Sequence, residues 1–257
     1  MKNIFSFLFL LVVASCTKVI DIKTKSSDAK VVIVGSLRDG SNTATVKISK
    51  SVDLNAVNTF PYVTGAVVTI TDDAGGSFNL LESSTLGTYE TMVVGVIGRT
   101  YTLTVLADGK TYTSVCKMEN GTSLDDIYFF PFTGFGTGYG LIPLYNDEVG
   151  TRSYSRFIVY TNNILQPGIY IADDEFSDGL TQTQPIFGSY QSESGDSIRI
   201  EKQAIDEKVY KYLLDLGGVS NGGSDSASPA NPKSNIDNGA FGYFSAYSSS
   251  SYRIKIP

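Results

Sequence analysis

The run Thr100-Tyr-Thr-Leu-Thr-Val-Leu-Ala-Asp-Gly-Lys-Thr-Tyr-Thr-Ser-Val115 decides how the chain is read. Apolar and hydroxyl residues alternate with period two, the pattern of a strand with one buried face. Asp108-Gly109 breaks the pattern, and alternation resumes beyond it. An Asp-Gly pair between alternating runs predicts a tight hairpin, because both of its residues tolerate positive φ. Cys116 closes the second run and is expected to pack there as a small apolar residue.

Moving towards the N-terminus, similar pieces recur. Gly87–Thr91, Ser77–Leu81, Ala66–Thr71 and Thr43–Ser49 each read as a strand, and Thr43–Ser49 puts Ala44, Val46 and Ile48 on one face. Val31–Val34 is a short β-branched run suited to burial. Seven short strands with turns every 8–12 residues predict an immunoglobulin-like sandwich over residues 30–117. Met118–Asp126 changes character and is the expected boundary. Residues 118–257 are expected to form a second β-sandwich-like domain with longer strands and loops. The whole is therefore read as all-β, with a single short helix. That helix is placed at Asp206–Leu216: Asp206 can cap it, Val209, Leu213 and Leu216 share a face, and Gly217-Gly218 is expected to stop it. Residues 219–238 are rich in Gly, Ser, Asn and Pro and are expected to form a mobile loop.

The N-terminus carries an address. Lys2 precedes the apolar run Ile4–Val13, and Ala14-Ser15-Cys16 follows. This is the layout of a secretory signal, residues 1–15, and a Cys directly after the small residues makes it a lipobox. The run is about ten residues, against the ~20 that a membrane-spanning helix needs. Cys16 is thus expected to be acylated and to anchor the body to a membrane through the polar tether 16–29.

Composition narrows the chemistry. Without Lys2 the chain has 19 basic against 26 acidic residues, a net charge of −7. An acidic chain without a basic cluster is a poor nucleic-acid binder. There is no His, which excludes Ser-His-Asp and Cys-His catalysis and His-ligated zinc. With Cys16 acylated, Cys116 has no disulfide partner. No enzyme is expected.

Four local features remain as candidates. Asp173, Asp174, Glu175 and Asp178 gather in one turn, and hard oxygen ligands at close spacing suit Ca²⁺; a solvated turn needs the same residues. Tyr128, Phe129, Phe130, Phe132, Phe135, Tyr139 and Tyr145 are expected mainly to fill a core. Phe135 and Tyr139 lie in a Gly-rich piece and are the expected exposed contacts for a glycan, a peptide or a partner. Ser226 sits in Asp225-Ser-Ala227, a short O-glycosylation pattern. Finally, Tyr252–Ile256 alternates and could be donated to another subunit.

The lipobox with Lys18–Ile22, Val34–Gly40, Gly65–Asp73, Gly98–Leu103, Tyr210–Leu213 and, most specifically, Ser234–Ala246 resembles the Bacteroidota outer-membrane lipoproteins known as domain of unknown function 4249 (DUF4249). The resemblance implies a lipoprotein of the outer membrane or cell surface, often associated with TonB-dependent receptors, and carries over no catalytic residue. Thr17-Lys18 is not a strongly acidic export signal, so the periplasmic and extracellular faces both stay open. The expected role is a non-enzymatic binding or accessory component of TonB-dependent nutrient uptake. The alternatives are an adhesin or fimbrial subunit and a glycoside hydrolase working through two carboxylates.

Overall fold

A computed structural model of the chain describes residues 28–53, 59–133, 137–183, 185–186, 192–220 and 231–257. Cys16, Phe135 and Ser226 lie outside them.

The chain is mainly β. β1 (Val31–Arg38), β2 (Gly40–Lys50), β3 (Val67–Asp72), β4 (Ser77–Glu82), β5 (Thr88–Gly95), β6 (Thr100–Ala107) and β7 (Lys110–Lys117) occupy the first region. β1, β2, β5 and β4 are neighbours in that order, and β3, β6 and β7 continue from β4. That is the strand allocation of a constant-type immunoglobulin sandwich. The Asp108-Gly109 hairpin is present: both residues have positive φ, 50° and 72°, and Ala107 pairs with Lys110 across the turn. Alternation builds the interior. Ile33 and Leu37, Ala44, Val46 and Ile48, Val68 and Ile70, and Tyr101, Leu103 and Val105 are all buried in one core.

The second region contributes β8 (Asp126–Thr133), β9 (Thr137–Asn146), β10 (Tyr154–Thr161), β11 (Ile164–Leu165), β12 (Tyr170–Asp173), β13 (Thr181–Thr183), β14 (Ser197–Ala204), helix α1 (Glu207–Ser220) and β15 (Phe241–Lys255). A small sheet, β13-β9-β8, places Leu141 and Tyr145 over Phe157, Val159, Ile198 and Ile200, and this forms a second core.

β15 joins the two regions. Phe241–Tyr247 runs parallel to β1, while Ser248–Lys255 runs antiparallel to β14. One continuous twelve-stranded sheet results, and the first core takes in Phe244, Ala246, Val209 and Leu213 from beyond residue 118. The expected boundary at 117/118 is therefore crossed by a shared strand. Gly242 makes this closeness possible: its φ is +94°, and a Cβ there would sit 1.9 Å from the Ile33 carbonyl oxygen.

The stretch expected as a mobile loop at 219–238 behaves differently where it is described. Ser234 Oγ donates to the Gly242 carbonyl, and the Asn235 amide both donates to Phe244 O (2.8 Å) and accepts from Phe244 N (3.0 Å). On the other side Thr113 N donates to Asp237, Asn238 donates to Thr111 O, and Ile236 is buried. Residues 234–238 thus wedge between β15 and β7 and are fixed by side chains that replace strand partners. Cys116 works on the same seam: its sulfur accepts from Ala246 N at 3.2 Å. It is buried, as expected, but also bonds.

Helix α1 starts as predicted. Asp206 Oδ1 accepts from Lys208 N at 2.7 Å, an N-cap. It does not stop at Gly217-Gly218, where neither backbone has positive φ, but runs to Ser220. Glycine costs a helix about 1 kcal/mol relative to Ala; burial of Val209, Tyr212 and Leu213 in the first core holds the helix regardless.

Candidate functional site

On each strand, the positions between the core residues face the other side of the large sheet. Along β1 these are Val34 and Ser36, along β2 Thr45 and Lys47, along β10 Arg156, Ile158 and Tyr160, and along β15 Tyr243, Ser245 and Tyr247. The connection from β11 to β12 passes beside this face; Gln166 N bonds to Val159 O, and the Tyr170 hydroxyl donates to Pro167 O at 3.0 Å. A groove of about 630 Å³ lies between the sheet face and that connection. This is within the ~300–1,000 Å³ of small-molecule sites.

The chemistry of the groove departs from that of the chain. Its lining contains Lys47 and Arg156 and no Asp or Glu, although the chain as a whole carries net charge −6. Neither cation is in an ion pair among the described residues. Arg156 Nη1 donates to the Tyr243 hydroxyl at 3.0 Å, which aims the guanidinium along the face. Tyr243 is braced in turn by Tyr212 of α1, with ring centroids 5.1 Å apart. Burial, reinforced by the charge of Glu201, pushes the Tyr247 phenol up to about 12, so it stays a donor at neutral pH. Its hydroxyl has no partner among the described residues. Ser245 Oγ is buried beneath and is also without a hydrogen-bond partner there. Gln203, buried on β14, completes the floor.

Of the expected contacts, Phe135 lies outside the described residues and Tyr139 is not in the groove. Tyr139 is not exposed: it is half-buried on β9, edge-on to Phe129 at 6.3 Å and packed against the second core.

The acidic turn is partly reorganised. Asp174 and Asp178 approach Asp147, from the β9–β10 connection, with one oxygen of each within 4.8 Å of the others. Asp173 and Glu175 turn away to Arg152, at 3.5 and 3.2 Å. Burial opposes the Asp173 carboxylate, yet the Tyr210 hydroxyl, the Glu175 N–H and Arg152 together hold it below its usual pKa. Donors reach each carboxylate of the trio, but Asp174 Oδ1 is buried without a hydrogen-bond partner among the described residues. Ser153 N serves Asp174, Gly150 N serves Asp178, Ser153 Oγ and Gly179 N serve Asp147, and Arg152 Nε lies 3.4 Å from Asp174 Oδ1. This arrangement ties two loops together, and a cation would have to compete with Arg152.

Sequence reading missed the groove because its residues come from seven strands. The one local signal was alternation itself, which marks the outward positions but not their neighbours.

This chain belongs to the family described as a domain of unknown function, DUF4249, whose match spans residues 17–253. No curated protein matches it.

Proposed function

We propose that the protein is a non-enzymatic lipoprotein of the outer membrane, anchored through Cys16, that holds a small polar ligand in the sheet-face groove as an accessory component of a TonB-dependent uptake system. The observation that carries the reading is the groove: cations, phenols and amides converge where the rest of the chain is acidic. The lipobox supports the anchor. No helix among the described residues is long and apolar enough to cross a membrane. Tyr252–Lys255 pairs with β14 and Ile256 is buried, so the segment that an adhesin would donate is occupied in its own sheet.

The test is purification of the native lipoprotein from detergent-solubilised outer membranes, with mass spectrometry of what accompanies it and palmitate labelling of wild type and Cys16→Ala. A stoichiometric TonB-dependent receptor and label lost in Cys16→Ala are expected. Recovery alone, or as a ladder of self-polymers, overturns the transport reading.

A further inference from the structure

We infer that the groove takes an acidic oligosaccharide, a sugar chain bearing carboxylate or sulfate groups; this rests on the reading of the groove as the binding site. Three observations lead there. First, the charge: Lys47 and Arg156 line it, no acid does, and neither cation has an ion-pair partner among the described residues. A cation left free on an acidic protein favours an anionic guest. Second, the remaining polar groups are short-reach hydroxyls: Ser36, Thr45, Ser245 and the phenol of Tyr247, beside a Gln203 amide that donates to Glu201 at 2.9 Å and a Tyr170 phenol that donates to Pro167 O. Such groups match a hydroxyl-rich ligand, and tyrosine rings offer flat apolar faces to sugar rings. Third, the floor offers nothing to a peptide backbone. β1 is paired with β15 and β2, and β14 with β10 and β15, so the ladder groups there are already used. A peptide joining a sheet needs a free edge. The groove instead presents side chains on a closed sheet face.

Arg156 is the central contact. Its bond to the Tyr243 hydroxyl occupies one N–H direction and leaves the rest of the fork for an oxyanion. Lys47 is exposed at the far side of the lining and acts as a second, weaker point charge.

The experiment is calorimetric titration of the full lipoprotein in detergent with trigalacturonate, sialyllactose and a sulfated heparin tetrasaccharide. Maltotriose and lactose serve as neutral counterparts and hexaglutamate as the acidic peptide. At least one acidic sugar is expected to bind about ten-fold or more tightly than its neutral counterpart and than hexaglutamate, and more weakly as salt is raised. Arg156→Gln should lower that affinity about ten-fold or more, as loss of a charged hydrogen bond does. Lys47→Gln should lower it a few-fold, with both variants melting at the wild-type temperature. If Arg156→Gln does not fold, Lys47→Gln decides, since Lys47 is exposed. Binding of no acidic sugar, equal binding of the neutral sugars or of hexaglutamate, or unchanged affinity in the variants overturns the inference. These outcomes are separate from the pull-down: a receptor partner can be recovered with no acidic sugar bound, and the sugar can bind with no receptor recovered.

Discussion

Replacing Asn235 by Ala tests whether residues 234–238 close the structure. The Asn235 side chain forms two bonds to the backbone of Phe244, which is itself fully buried. Each bond contributes about 1 kcal/mol net, but a buried N–H or C=O left without a partner costs ~1–3 kcal/mol. Both Phe244 groups lose their partner together, so Asn235→Ala should cost ~2–6 kcal/mol. With a urea dependence of about 3 kcal/mol/M, the upper end for small proteins, the unfolding midpoint should fall by about 0.7–2 M. Asn235→Asp keeps an acceptor for Phe244 N but sets an oxygen against Phe244 O, so it should not rescue. The measurement is urea unfolding followed by tyrosine fluorescence. A midpoint shift below about 0.2 M with the slope unchanged would refute the closure argument, since water would then be satisfying Phe244.

Gly242→Ala should cost more than the ~1–2 kcal/mol of a left-handed backbone alone, because its Cβ would strike Ile33 O in the partner strand; loss of folded protein on gel filtration is the expected result. Lys202 is buried, and burial lowers its pKa to about 8 although Asp147 and Asp125 oppose the shift. The unfolded chain keeps that proton to about pH 10.4, so between these values the native state binds fewer protons and stability rises with pH. From about pH 7.5 to about pH 9.5 Lys202 should contribute ~2 kcal/mol of stability, read as the difference between wild type and Lys202→Met in urea unfolding at the two pH values, because the raised Cys116 thiol acts in the opposite sense in both proteins; the same pH dependence in wild type and variant would exclude Lys202 as a source. Burial pushes the Cys116 thiol up to about 12, so in a Cys16→Ser form it should resist alkylation at neutral pH until urea unfolds the protein. Fast labelling of the native state would show that the seam with Ala246 is open.

Alternation, turn chemistry and capping were legible along the chain. Each is a property of residues a few positions apart: Asp108 beside Gly109, Asp206 two residues before the N–H that it accepts, and Val46 two residues from Ile48. The seven strands of the first region follow from them, as does the start of α1. Helix length was misjudged because Gly217 and Gly218 keep helical backbone and α1 runs on to Ser220, although its buried residues end at Leu213.

Pairing across long stretches was not legible. Every residue carries the same backbone donor and acceptor, so nothing in Phe241–Tyr247 names Val32–Arg38 as its partner. Nor does anything near Asp174 name Asp147, or anything near Arg156 name Tyr243. The sequence by itself determined where strands begin, which face of each is apolar, and the chain's acidic balance. Only the tertiary structure decided that β15 serves two regions at once, that Asn235 stands in for a strand, and that two cations share one face of an acidic protein. Those outcomes depend on which surfaces pack together, and packing is decided by the whole chain at once.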